Sequence, residues 1–218
     1  MLVQLVRSQS SLVIGNTVFA MNANAFIKVD KATFYRFVQA QSEGRFEYVQ
    51  GRIMQQMAGG THRHAEISKR FLLALHGGIE QSKWTASGPD RGVETHVTIR
   101  YPDASIEPVG ADPKSLATLS PVVLVEVLSP YSEDRDMFVK PLEYLALPSL
   151  QAYVIASQDE VACFVYLRGP NGTFTDEPET VQGADKAIDI PALSLSIPLA
   201  EIYRGLFEPI DADSAPKS

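Results

Sequence analysis

The chain has 218 residues, 45% of them apolar, enough to bury one good core, so a single domain is expected. A net charge of −7 argues against a protein coated for non-specific nucleic-acid binding. No apolar stretch nears the roughly 20 residues of a bilayer-spanning helix. The single cysteine, Cys163, rules out internal disulfides and fits a reducing compartment, the cytoplasm.

From the N-terminus, Arg7 and the apolar patch Leu12 to Ile14 faintly suggest a leader, but Gly15 and Asn16 interrupt the patch. The expectation is a disordered extension over residues 1–24, or translation beginning at Met21. Asp30 can cap a helix running to about Ser42, with Phe34, Phe37 and Val38 on its apolar face. Phe46 to Val49 and Arg52 to Met57 read as a hairpin turning at Gln50-Gly51. Thr61 is a plausible N-cap for a helix to about His76, with Ile67, Phe71, Ala74 and Leu75 at helical spacing and Gly77-Gly78 stopping it.

Strand signals follow at Lys83 to Ser87, at Val93 to Arg100 with period-two alternation, at Ala104 to Val109 and at Val122 to Leu128. The last is almost continuously apolar, as a central strand covered on both faces should be. Residues 132–147 read as helical, with Phe138, Leu142 and Leu145 on one face and a start or kink near Pro141. Ala152 to Ala156 and Val161 to Leu167 make two more strands. Residues 169–187 read as loop, and Leu199 to Leu206 as a last short helix. The order implies an α/β or α+β core: one domain over residues 25–207 with a mixed central sheet flanked by helices, followed by a disordered tail over 208–218.

Acidity is concentrated late in the chain. Residues 101–218 carry nineteen acidic and seven basic side chains, most of them readable as a solvated surface. Glu126 does not read that way. Within Val122-Val123-Leu124-Val125-Glu126-Val127-Leu128 a glutamate is costly to bury without a partner. Asp103, after Pro102, reads equally as a turn residue. Asp103 and Glu126 would suit a divalent ion if their strands are neighbours with both side chains on one face, and the backbone carbonyl of Val127 could join them. Two carboxylates plus waters and a substrate phosphate are what Mg²⁺ takes as ligands. Lys140 alone reads as a surface charge. Beside such a pair it becomes a compact cation able to orient a water and offset charge developing on a phosphate.

These segments resemble the Uma2 family of endonucleases. Phe46-Glu47-Tyr48-Val49-Gln50-Gly51-Arg52-Ile53 with Met57-Ala58-Gly59-Gly60, then His64, Ile67 and Pro102-Asp103, carry the first half of the likeness. Val125-Glu126-Val127-Leu128-Ser129-Pro130, Asp136, Lys140, Tyr144, Pro148-Ser149-Leu150, Tyr153-Val154 and Gln158 carry the second. The likeness covers roughly residues 30–206. It implies the PD-(D/E)XK, restriction-endonuclease-like fold and a metal-dependent attack on DNA, with Mg²⁺ or alternatively Mn²⁺ as cofactor and a homodimer among the expected assemblies. It also implies Asp103 and Glu126 as metal ligands, Lys140 as water activator, and Glu47, His64 and Gln158 in support. Three positions depart from the pattern. Leu128 stands where the fold usually has its lysine, a role the family moves to Lys140. Met137 stands where the family usually has arginine, and Ser157 where it commonly has aspartate.

Two rival readings follow from the residues. His62-Arg63-His64 could offer two nitrogen ligands to Zn²⁺, with His76 and His96 as the remaining histidines. Alternatively Arg52, Arg63, Lys69 and Arg70 could contact phosphates in a non-catalytic DNA-binding module, the acids being structural.

Overall fold

The computed structural model describes residues 11–14, 17–20, 28–56, 60–129 and 135–207. The elements begin with β1 (Ser11–Ile14), β2 (Thr17–Ala20), α1 (Lys31–Ala40), β3 (Phe46–Val49), β4 (Arg52–Gln55) and α2 (His62–Gly78). Next come β5 (Trp84–Ser87), β6 (Gly92–Glu94), β7 (Thr98–Arg100), β8 (Ala104–Pro108), β9 (Ala117–Thr118) and β10 (Val123–Val127). A π-helical turn, Arg135–Val139, leads into α3 (Lys140–Tyr144), β11 (Ala152–Ala156), β12 (Ala162–Leu167), β13 (Glu179–Gln182), β14 (Ala187–Ile190), β15 (Leu195–Pro198) and α4 (Leu199–Tyr203). Among the described residues no helix is long and apolar enough to cross a membrane.

The chain groups into two compact units. Of the described residues, one holds those up to 56 together with 90–101 and 111–119; the other holds 60–89, 102–110, 120–129 and 135–207.

The first unit holds a five-stranded sheet ordered β4-β3-β7-β6-β9. Asp30 caps α1 as expected, its carboxylate accepting the Thr33 N–H at 2.7 Å. Phe34 and Phe37 are the buried side chains of α1, and Phe34 packs with Tyr48 and Ile99. The β3–β4 hairpin turns at Gln50 and Gly51, both at positive φ (50° and 91°), the backbone that a two-residue turn of this twist requires. Val93 to Arg100 is not one strand but two, β6 and β7, paired antiparallel. The Thr95 hydroxyl oxygen accepts the Thr98 N–H at 3.0 Å, a side-chain turn that outcompetes extension. Of the expected N-terminal extension, the described part pairs as the β1–β2 hairpin. Met21, Met57 and the 208–218 tail lie outside the described residues.

The second unit is built on a six-stranded mixed sheet ordered β13-β12-β11-β10-β8-β5. Only β10 and β11 run parallel; the other neighbours are antiparallel. Val123, Val125 and Val127 of β10 and Ala152, Val154 and Ala156 of β11 share one core with Ile67, Phe71 and Leu75 of α2 and with Ile197 and Ile202. Alternation therefore sends Leu124, Glu126, Tyr153 and Ile155 to the opposite face, where Tyr144 of α3 meets Tyr153 edge-on with ring centroids 5.2 Å apart.

Helix α2 runs through Gly77 and Gly78 instead of stopping before them. A Cβ on Gly78 would lie 2.2 Å from Leu195 Cδ1, so the glycine serves the close approach of β15 rather than helix termination. Glu179 to Gln182, read from sequence as loop, forms the edge strand β13. The β14–β15 hairpin was likewise not visible in the sequence pattern. The start near Pro141 holds, since α3 begins at Lys140, but its faces are inverted. Phe138 is 69% and Leu142 80% exposed, whereas Asp136, Lys140 and Tyr144 are buried.

Candidate active site

Strand pairing sets the site. The β8–β10 ladder ends with Val125 opposite Ala104. Asp103 and Glu126 are the next residue on each strand, so they stand together one step past the last rung. Asp103 lies in the bend after Pro102, and its Oδ2 accepts the Val127 N–H at 2.8 Å. It is thus both a turn residue and a neighbour of Glu126.

Glu126 is 4% and Lys140 5% exposed, and the Lys140 ammonium lies 2.6 Å from Glu126 Oε1. The surface-charge reading of Lys140 is therefore overturned. Its aliphatic stem enters from the first residue of α3, and the ammonium also lies 2.8 Å from Asp136 Oδ1. That second contact is a charge contact only, because Asp136 Oδ1 makes no aligned hydrogen bond. The Tyr144 hydroxyl donates to Glu126 Oε1 at 3.2 Å. The Tyr153 hydroxyl donates to the Asp136 carbonyl at 3.1 Å, tying the π-helical turn to β11.

Burial pushes the Glu126 carboxyl up to about 8, against the pull of Lys140 and helped by the negative charges of Asp136 and Asp103. One ammonium is shared between two carboxylates with a third acid nearby, so it cannot hold Glu126 ionised against desolvation. Burial likewise pushes the Tyr153 hydroxyl well above the usual tyrosine range.

His64 lies in the first turn of α2, with Nε2 3.6 Å from Asp103 Oδ2 and Nδ1 3.5 Å from Ser68 Oγ. Gln158 does not reach the acids. Its Oε1 accepts the Thr61 hydroxyl at 2.6 Å while Thr61 Oγ1 accepts the His64 N–H at 3.0 Å, so Gln158 fixes the start of the helix that carries His64. Its carbonyl also accepts from Arg63 at 3.0 Å. Glu66 pairs with Lys69 and, at 3.6 Å, with Arg70. Arg70 further donates to the Ile202 and Arg204 carbonyls. Arg63, Lys69 and Arg70, three of the four basic residues of the binding-module reading, are thus engaged within the fold.

Glu47 belongs to the first unit. It is 1% exposed, with Oε2 2.8 Å from Arg100 Nη1 and Oε1 accepting from Gln56 at 2.9 Å, so it is not a solvent-facing hairpin acid. Arg100 as its partner went unnoticed in the sequence, as did the pairing of Asp136 with Lys140. The second had a usable signal, opposite charges four residues apart in a helical segment.

Among the described residues no three His, Cys, Asp or Glu side chains form a group able to enclose a metal ion. The donors at hand are hard carboxylate oxygens in a crowded acidic cluster. That set suits an ion which keeps most of its waters, as Mg²⁺ does, rather than one held in a closed protein cage.

The uncharacterized protein slr1290 of Synechocystis sp. (strain ATCC 27184 / PCC 6803 / Kazusa) is 28% identical over 184 residues, covering 83% of this chain and 94% of that protein. Among solved structures, a "putative nuclease belonging to DUF820" from Anabaena variabilis ATCC 29413 aligns with a TM-score of 0.64 at 18% identity, covering 79% of this chain and 97% of the other. Residues 32–200 match the Uma2 family model, described as "Putative restriction endonuclease". The chain is therefore a member of the Uma2 family, with the mixed-sheet, restriction-endonuclease-like fold.

Proposed function

We propose that the protein is an endonuclease that hydrolyses phosphodiester bonds of DNA with a divalent ion, Mg²⁺ or Mn²⁺, as cofactor. The observation that carries this reading is the burial of Lys140 against Glu126, which stands opposite Asp103 just past the last rung of the β8–β10 ladder, in a cluster with more acids than bases. Asp103 and Glu126 would hold the ion. When bound, it supplies Lewis-acid polarisation of the phosphate and a water of lowered pKa.

The chain's own groups do the remaining work. The Lys140 ammonium orients the attacking water and offsets negative charge gathering on the phosphate oxygens. The Val127 N–H and His64 fix the Asp103 carboxylate, and the Tyr144 hydroxyl fixes Glu126. Gln158 supports from behind, through the first turn of α2.

Incubating plasmid and linear duplex DNA with the protein, with Mg²⁺ or with a chelator, tests this directly. Cleavage should require the ion. Glu126→Gln and Lys140→Ala should each lower it by about 10³-fold or more while DNA binding stays within a few-fold. Binding without cutting by the wild type under any divalent ion would instead support the non-catalytic DNA-binding module.

A further inference from the structure

The least expected feature of the cluster is a second buried acid on the lysine. Asp136 is 1% exposed. Its Oδ1 lies 2.8 Å from the Lys140 ammonium. It precedes Lys140 by four residues in the π-helical turn that opens α3, and the Tyr153 hydroxyl holds its backbone carbonyl at 3.1 Å. The carboxylate is thus set on a fixed backbone and aimed at one group. Insertions of this helical type are frequent where a helix carries functional side chains.

We infer that Asp136 is a positioning residue, which keeps the Lys140 ammonium in the site once Glu126 has turned its charge to a divalent ion. The inference rests on the function proposed above. Lys140 now leans on two carboxylates, Glu126 at 2.6 Å and Asp136 at 2.8 Å. A cation bound by Glu126 would weaken the first hold and repel the ammonium as well. A second anion beside the lysine would then offset the cost of keeping its charge buried. Asp136 supplies that anion from the lysine's own turn, so water activator and anchor move together.

The test uses the full chain carrying Asp136→Asn, which keeps the shape and removes the charge. Asp136→Ser serves as a second neutral variant should the first not fold. The expected result is a kcat lower by about 10–100-fold, with KM for duplex DNA unchanged. Asp136→Glu, which restores the charge, should recover part of that loss. Crystals of the neutral variant soaked with Mn²⁺ should show the Lys140 ammonium swung away from Glu126, with the ion still bound. An unchanged kcat, or an ammonium still in its wild-type place in the Mn²⁺-loaded variant, would overturn the inference. So would a fall in Mn²⁺ affinity of about a hundredfold or more by calorimetry, which would make Asp136 a ligand. A wild type that never cleaves would defeat the proposed function instead, and the crystallographic position of Lys140 would still decide the role of Asp136.

Discussion

Two of the buried glutamates, Glu47 and Glu126, sit in surroundings that differ in charge balance. In the first unit Glu47 faces the Arg100 guanidinium at 2.8 Å, with the Gln56 amide filling a further acceptor position at 2.9 Å. In the second unit Glu126 shares one ammonium with Asp136 and has Asp103 close by. A guanidinium suits a single carboxylate because its planar fork meets the carboxylate oxygens directly. One ammonium cannot satisfy several acids. The first arrangement is closed; the second has negative charge left over, at an energetic cost that structure alone does not repay. Burial marks both glutamates as important. The imbalance at Glu126 is what the proposed divalent ion would relieve.

The largest effect this contrast predicts is the loss of cleavage in Glu126→Gln and Lys140→Ala, measured as above. Stability sharpens the distinction. Arg100→Met leaves Glu47 buried without its cation and should cost about 3–5 kcal/mol in urea unfolding. Glu126→Gln mimics the protonated form the fold already favours, so at pH 8.5 it should leave stability unchanged or raise it. If Glu126→Gln destabilises as much as Arg100→Met, the two sites are alike and the contrast fails.

A smaller effect concerns pH. The Glu126 carboxyl sits near 8 in the folded protein against an ordinary 4.5. Between these values the folded chain holds a proton that the unfolded chain has released. This contribution to stability is therefore full below about pH 4.5 and is lost as pH rises through about 8. Melting temperature without divalent ions should fall across that window, after correction with Glu126→Gln, and Mn²⁺ should reverse the fall because it replaces the proton. A variant and a wild type that lose stability in parallel from pH 5 to pH 8.5 would contradict the assignment.

Much of this was legible where signals are local. Asp30 and Thr61 announced their helices by capping, Gln50-Gly51 announced a turn, and the apolar run around Glu126 announced a central strand. Glu126 stood out because an acid in such a strand has nowhere to hide. Other features depended on contacts distant in sequence. Gly77-Gly78 read as a stop signal until Leu195 supplied the reason for a small residue inside the helix. Thr95 broke an alternating strand through its side chain. The segment from Asp136 to Leu142 misled most, because its apolar residues point outward while Asp136 and Lys140 point in. Amphipathic reading assumes that the buried face is apolar, and it fails where the core presents an acid needing a partner.

Anomalous diffraction from crystals soaked in Mn²⁺ tests the proposed metal site without recourse to activity. One ion should be contacted by the carboxylates of both Asp103 and Glu126, with the Lys140 ammonium still held by Asp136. A saturating soak that left those carboxylates without an ion, with Lys140 still closed on Glu126, would contradict it.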